Sequence, residues 1–469
     1  MNKHTRFLKN TAYTFIGTIG SKLIYILMLP LYTNWLLPDE FGAADTLTTY
    51  RDILLPLFFL CIADAAFVFP KNASELERKS YFTSGMVFIL IMIIVSFLFL
   101  FIFVEILKSC NINNVFSNYS FIIWLMVITG YLQQYCQSFT MSIGKMFIYS
   151  MCGVILTALI AIFSVFLIPR YKLEGYAYAI IIAHFMTFLY CVIFSRSYNY
   201  FDIKQISLKR FKEMILYSIP LIPNSMMWWL VNGINRPMME HYLGLSAIGI
   251  YAVSSRISGM INSLTGVLGI SWSNSVLEEY GKDGFGRFFN QYLKIIVTFY
   301  FLAVFFLSIF SKQIVTLFTS VEYYDAWRYI PIISLGLVFS GMSGMYGAIF
   351  GAIKKSKYFF YSSFYGGIVS VVFLLFLTPC FGLYGVSFSI FASFLTILLM
   401  RIFYSKKYVL TNDWSYYIFL LSLYLLLLLN IMFVAAPYSY FISMSLLLLL
   451  IWMLRNDFKL VYMLIRKKF

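Results

Sequence analysis

Between Lys79 and Glu105 the chain runs for twenty-five residues without a charged side chain, through SYFTSGMVFILIMIIVSFLFLFIFV. Crossing a hydrocarbon core about 30 Å thick takes about 20 apolar residues at a rise of about 1.5 Å each, and this run exceeds that length. In lipid every backbone N–H and C=O has to be satisfied within the segment, so such a run folds as an α-helix. Only 12% of the 469 residues are charged and 61% are hydrophobic, whereas a soluble chain carries roughly 25% charged residues. The fold class is therefore all-α, a polytopic membrane protein.

Comparable runs place about fourteen transmembrane helices. Six lie near 11–36, 45–69, 82–107, 119–141, 147–168 and 175–195. Six more lie near 215–235, 247–275, 292–310, 329–351, 359–377 and 384–403, and two follow at 416–434 and 440–454. Most of the 35 lysines and arginines then fall on one side, for example Lys71, Arg78 and Lys79, Lys354, Lys355 and Lys357, and Arg401, Lys406 and Lys407. By the positive-inside rule that side is cytoplasmic and both termini with it. The net charge of +16 thus follows topology and calls for no nucleic-acid partner. MNKHTRFLKN leads into a full-length span without a short apolar core or small-residue cleavage site, so no cleavable signal peptide is expected. The six cysteines form no CxxC pair, and His4, His184 and His241 are far apart, so neither a metal site nor a cofactor is expected.

The two halves resemble each other at a shift of about 210 residues. LIPRYKLEGYAYA from Leu167 aligns without gaps on LTPCFGLYGVSFS from Leu377, and the twelve-residue spacing of Pro30 and Gly42 recurs at Pro237 and Gly249. Each repeat holds an even number of spans, so both enter the membrane in the same orientation. The expected organisation is two parallel six-helix repeats, 1–200 and 201–408, around a central cavity, with two extra C-terminal helices and a basic tail in 409–469.

Ionisable side chains inside spans are costly, roughly 2.5 to 3.5 kcal/mol each at the membrane centre, and so mark functional positions. Lys22 lies about 17 Å into the first span, too deep to snorkel with ease. Arg51 and Arg256 are shallower, where snorkelling competes with a cavity role. Polar or small residues at helical steps accompany them, Asn10, Thr14, Thr18, Ser21 and Tyr25 in span one, and Ser255, Gly259, Asn262, Gly266, Gly269 and Ser273 in span eight. A similar stripe in span ten, Gly336, Ser340, Ser343, Gly347 and Gly351, has no charge beside it and is read as helix packing. Span seven carries Pro220 and Pro223, which break two backbone hydrogen bonds and suggest a hinge, followed by Asn224, Trp228, Asn235 and Arg236. In span two, Asp52 is placed to pair with Arg51 or a partner helix, Asp64 either binds a coupling cation or sits at the membrane rim, and both acids are candidates for ion coupling.

These residues resemble the oligosaccharide-unit flippases of the Wzx type, in the exporter superfamily that also holds lipid II flippases and multidrug extruders. The likeness is carried by LMLPLYTNWLLPDEFGAADTL, YSIPLIPNSMMWWLVNGINRP and GIYAVSSRISGMINSLTGVLGISWSNSVLEEY. It implies a bacterial cytoplasmic-membrane protein whose substrate is a polyprenyl-pyrophosphate-linked oligosaccharide, working with membrane lipid and other polysaccharide-assembly membrane proteins. It further implies a basic cavity, with Lys22, Arg51, Arg256 and Arg236 on the pyrophosphate, and Tyr25, Trp228, Asn224 and Asn262 facing sugar. Two positions depart from the family pattern: Asn235 stands where an acid often precedes the arginine, and Val68 where a basic residue often follows the span-two acid. No GxxxxGK[ST] motif occurs. The rival readings are an ion-coupled multidrug-type exporter, which would prefer an acidic cavity, and a membrane polysaccharide polymerase or ligase, which would need larger outer loops. The chain is read as a transporter and not as an enzyme.

Overall fold

The computed structural model describes residue 24 and residues 27–434 and 437–466. Lys22 and Tyr25 therefore lie outside the described residues, as does most of the first span. Among the described residues, eight helices are long and apolar enough to cross a membrane, and the pair Pro38–Phe59 and Ile62–Asn72, bent by 64°, makes a ninth. By contacts the chain divides into two compact units, 1–249 and 250–469.

The first unit contains α1 (Leu29–Trp35), α2 (Pro38–Phe59), α3 (Ile62–Val68), α4 (Glu75–Ser109), α5 (Ser120–Ser142), α6 (Met146–Ser195), α7 (Leu208–Ser218), α8 (Ile222–Asn232) and α9 (Asn235–Tyr242). Ser74 caps α4, its hydroxyl accepting from the Glu77 N–H while Glu77 reaches back to the Ser74 N–H. The long α4 turns Ile91, Ile94, Leu98, Phe101 and Ile102 outward, a surface that only lipid tails solvate well. α6 is fifty residues long but turns at Lys172, where φ is 48° and ψ −123°, so it supplies two spans. α2 packs against α5, α6 and α8.

α2 and α3 are two halves of one span. Leu60 and Cys61, between them, are both left-handed, with φ of 50° and 54°. Two consecutive non-glycine residues in that region cost roughly 1–2 kcal/mol each, so tertiary contacts must hold them there. Tyr131 of α5 does this. Its hydroxyl accepts from the Ala63 N–H at 2.9 Å and donates to the Phe59 carbonyl at 3.2 Å, joining the two helix ends, and its ring stacks on Phe59 at 4.2 Å. In span seven, the 3-10 turn Ile219–Leu221 separates α7 from α8 at the Pro220 position.

The second unit contains α10 (Leu245–Ser258, which begins in the first), α11 (Met260–Glu279), α12 (Phe285–Ile309), α13 (Ile330–Ala352), α14 (Lys357–Phe381), α15 (Leu383–Ser405), α16 (Trp414–Phe433) and α17 (Tyr438–Arg466). α13 is its axis, with 89% of its apolar window buried against 22% for α4. Packing around α13 comes from α11, α12 and α15. The span-ten stripe has a use that the sequence of its own helix does not announce. Arg401, counted by sequence among the cytoplasmic cations, is buried; its Nη1 donates to the Ser343 carbonyl at 2.9 Å and its Nε to the Ser362 hydroxyl at 3.2 Å. Gly347 leaves the room, since a Cβ there would stand 3.1 Å from Nη1 and 2.8 Å from the Phe359 ring.

α5 and α13 are each 23 residues and start at Ser120 and Ile330, 210 apart. Gly382 has φ 56° and ψ −133°, nearly the torsions of Lys172, its counterpart at that shift.

Candidate functional site

A groove of about 450 Å³ runs between α2 and α8 in the first unit, lined by Asp45, Thr48, Thr49, Asp52, Ser225, Trp228, Trp229, Asn232, Gly233 and Arg236. Its α2 wall comes from helical spacing, since positions 45, 48, 49 and 52 share one face. The α8 wall uses the same periodicity at 225, 228, 229 and 232. Trp229 fixes the two walls together, its indole N–H donating to the Thr49 carbonyl at 3.0 Å. Trp228 leaves 41% of its surface open.

At the α9 end the groove is closed by an ion pair. Arg236 Nε donates to Asp45 Oδ2 at 2.8 Å, and both side chains are nearly buried, at 13% and 11% exposure. Nη1 donates to the Asn232 carbonyl at 2.7 Å and to Asn235 Oδ1 at 2.8 Å. The acid that the family pattern puts before this arginine is thus replaced by an amide, and the carboxylate comes instead from α2. Glu240 adds a second tie, accepting from the Val115 N–H at 2.6 Å and the Tyr50 hydroxyl at 3.3 Å.

Farther along α2, Arg51 donates through Nε and Nη2 to Asp52 Oδ1, at 3.1 and 2.8 Å. Its Nη1 lies 3.2 Å from His184 Nε2. A guanidinium only donates, so Nε2 accepts, the imidazole is the neutral Nδ1–H form, and Nδ1 donates to Gln133 Oε1 at 3.3 Å. The chain continues from Gln133 to Gln137 at 2.5 Å and on to the Tyr149 carbonyl at 3.1 Å. Arg51 therefore points away from the groove, into α5 and α6, while Asp52 remains 56% exposed at the groove.

Of the residues singled out by sequence, the groove brings together Asp52, Trp228 and Arg236. Asn224 is exposed on α8 outside the groove lining, and Asp64 is exposed on α3 beyond the break. Arg256 is half-buried on α10 and Asn262 exposed on α11, both in the second unit. Sequence reasoning met His184 only in setting aside a metal site, and did not reach Thr48, Thr49, Asn232 or Gln133. The 45, 48, 49, 52 periodicity of polar residues was the available signal. Among the described residues no cluster of His, Cys, Asp and Glu is placed to hold a metal ion.

Residues 7–271 match the family model described as polysaccharide biosynthesis protein, and residues 220–376 match the model named MatE. No curated protein sequence matches the chain. Among solved structures, the fold is similar to the lipid II flippase MurJ in an inward closed conformation, with a TM-score of 0.70 and 17% identity over 96% of this chain and 99% of that one. It is similar to an inward-facing multidrug resistance MATE family transporter of the MOP superfamily, with a TM-score of 0.65 and 15% identity over 82% of this chain and 94% of that one. It is also similar to a MOP superfamily transporter from Pyrococcus furiosus, with a TM-score of 0.57 and 15% identity over 86% and 95% of the two chains. With more than half its length matched by the first of these models and the fold of MOP superfamily transporters, this multi-pass membrane chain belongs to the polysaccharide biosynthesis protein family.

Proposed function

We propose that the protein is a flippase that carries a polyprenyl-pyrophosphate-linked oligosaccharide from the cytoplasmic to the outer leaflet of a bacterial inner membrane, with both termini in the cytoplasm. The observation that carries this reading is the groove: two tryptophans and a row of polar groups set along a membrane-spanning helix offer a saccharide both stacking and hydrogen bonds. A pyrophosphate-sugar head cannot cross hydrocarbon alone, and its polyprenyl tail cannot leave it. Lys22, Arg51 and Arg256 are assigned to the pyrophosphate. Alternating access by two parallel repeats, 1–200 and 201–408, would carry the head across, with Pro220 and Pro223 letting span seven bend.

A second reading rests on a specific observation. Asp45 and Asp52 line the groove beside Trp228 and Trp229, a setting that also suits an organic cation. Purified protein in liposomes separates the two. The first reading expects translocation of a short-chain polyprenyl-pyrophosphate disaccharide without efflux of ethidium driven by an ion gradient; ethidium efflux without lipid translocation would overturn it.

A further inference from the structure

Most of the donors that line the groove are turned away from it. The hydroxyls of Thr48 and Thr49 donate to the Asp45 carbonyl at 2.8 and 2.9 Å, and that of Ser225 to the Leu221 carbonyl at 3.3 Å. The indole N–H of Trp229 goes to the Thr49 carbonyl and the Asn232 amide to the Trp228 carbonyl. Arg236 gives Nε and Nη1 to Asp45, Asn232 and Asn235. What these side chains still offer is mainly acceptors: the lone pairs of the threonine and serine hydroxyls, the Asn232 amide oxygen and carboxylate oxygen of Asp45 and Asp52, beside the indole N–H of Trp228 and the second amide N–H of Asn232. Pro56 adds one more acceptor by withdrawing the helical donor from the Asp52 carbonyl. The lining residues carry two carboxylates and one guanidinium, and both carboxylates are paired, Asp45 with Arg236 and Asp52 with Arg51 from outside the lining.

From this acceptor-rich lining we infer that the groove is the saccharide subsite and that it selects sugars rich in hydrogen-bond donors, neutral hexoses and amine-bearing hexosamines, against uronic acids and other acidic sugars. The inference rests on the flippase reading and sharpens its substrate class. A sugar hydroxyl or ammonium donates to these acceptors while a C–H face of its ring stacks on Trp228. A uronate would bring a carboxylate against Asp52 and Asp45, whose arginine partners are already engaged, and like-charge juxtaposition is unfavourable.

The test uses the full chain in nanodiscs and three short-chain polyprenyl-pyrophosphate disaccharides that differ only in the outer sugar: hexose, hexosamine with a free amine, and hexuronic acid. The hexose and hexosamine forms are expected to bind at least tenfold more tightly than the uronic acid. Asp52→Asn should cut the preference for the amine over the hexose to below threefold, Asp52→Glu should keep it, and Trp228→Ala should weaken all three about tenfold. Thr48→Val removes an acceptor without touching an ion pair and should weaken the hexose and hexosamine forms alone. Equal or tighter binding of the uronic acid overturns the inference, as does discrimination that survives Asp52→Asn and Thr48→Val. If all three lipids are flipped in liposomes without preference, the inference falls and the flippase reading stands; if none binds and ethidium is exported, the flippase reading itself falls.

Discussion

Tyr131→Phe isolates what holds the break in span two. The substitution keeps the ring that stacks on Phe59 at 4.2 Å and removes one oxygen atom. That atom satisfies two backbone groups, the Ala63 N–H at 2.9 Å and the Phe59 carbonyl at 3.2 Å, both close to Leu60 and Cys61. Tyr131 is 2% exposed, so water does not easily replace it. A buried backbone group left without a partner costs roughly 1–3 kcal/mol, and two of them set the expected loss at about 2–4 kcal/mol, allowing for partial relaxation. The assay is equilibrium unfolding of the purified protein in mixed micelles, followed by tryptophan fluorescence, with Tyr135→Phe as a comparison. Unfolding of Tyr131→Phe within about 0.5 kcal/mol of the native protein would refute the clamp, because it would mean the two backbone groups find other partners without cost.

Lys172→Gly should stabilise the protein by about 1 kcal/mol in the same assay, because Lys172 sits at φ 48° where its counterpart is Gly382, and relief of that strain exceeds the added chain entropy of glycine. Asp45→Ala and Arg236→Ala should each destabilise by roughly 3 kcal/mol by leaving a nearly buried charge alone, while the double variant loses less than the sum of the two; additive losses would show that the pair is not coupled. Lys22→Ala and Arg256→Ala should cut lipid-linked sugar translocation at least tenfold at unchanged membrane levels, with Lys22→Arg and Arg256→Lys retaining part of it; translocation at the native rate in both alanine variants would remove these cations from the mechanism.

The membrane class and the all-α fold were legible in sequence because a bilayer imposes a length on every span, and a run such as that between Lys79 and Glu105 meets it without any help from tertiary structure. The break at Leu60–Cys61 was not. It falls inside LFFLCIADAAF, a run with no glycine, and its left-handed residues are held by a tyrosine seventy positions away. Pro56 was the local sign that the helix is weakened there, but a proline alone does not say where the chain turns. The Asp45–Arg236 pair joins residues 191 apart, and no spacing rule reaches that far. Arg401 was misplaced by sequence for a related reason. It stands four residues before the end of a span, where the positive-inside rule counts a loop cation, yet the space that buries it is made by Ser343 and Gly347 on another helix.

At a shift of 210 the helices Ser120–Ser142 and Ile330–Ala352 coincide end for end, and Gly175 and Gly385 both press against the carbonyl eight residues before them, Leu167 and Leu377. At 207 the agreement is reciprocal: a Cβ on Gly42 would strike the Leu245 carbonyl, and one on Gly249 the Pro38 carbonyl, where 245 is 38 and 249 is 42 advanced by the same shift. The three-residue difference between the shifts has to be absorbed after Gly249, and the capping position of α4, Ser74, already meets that of α12, Gly284, at 210. The extra residues therefore lie in the helix pair α10 and α11, the counterpart of α2 and α3. That pair has no left-handed residues among its described positions and is interrupted at Gly259, which corresponds to Asp52 and not to Leu60. The counterpart of Tyr131 is Gly341, which carries no hydroxyl. Clamp and break are thus present together in one copy and absent together from the other, as expected if Tyr131 is what makes the left-handed turn at Leu60 and Cys61 stable.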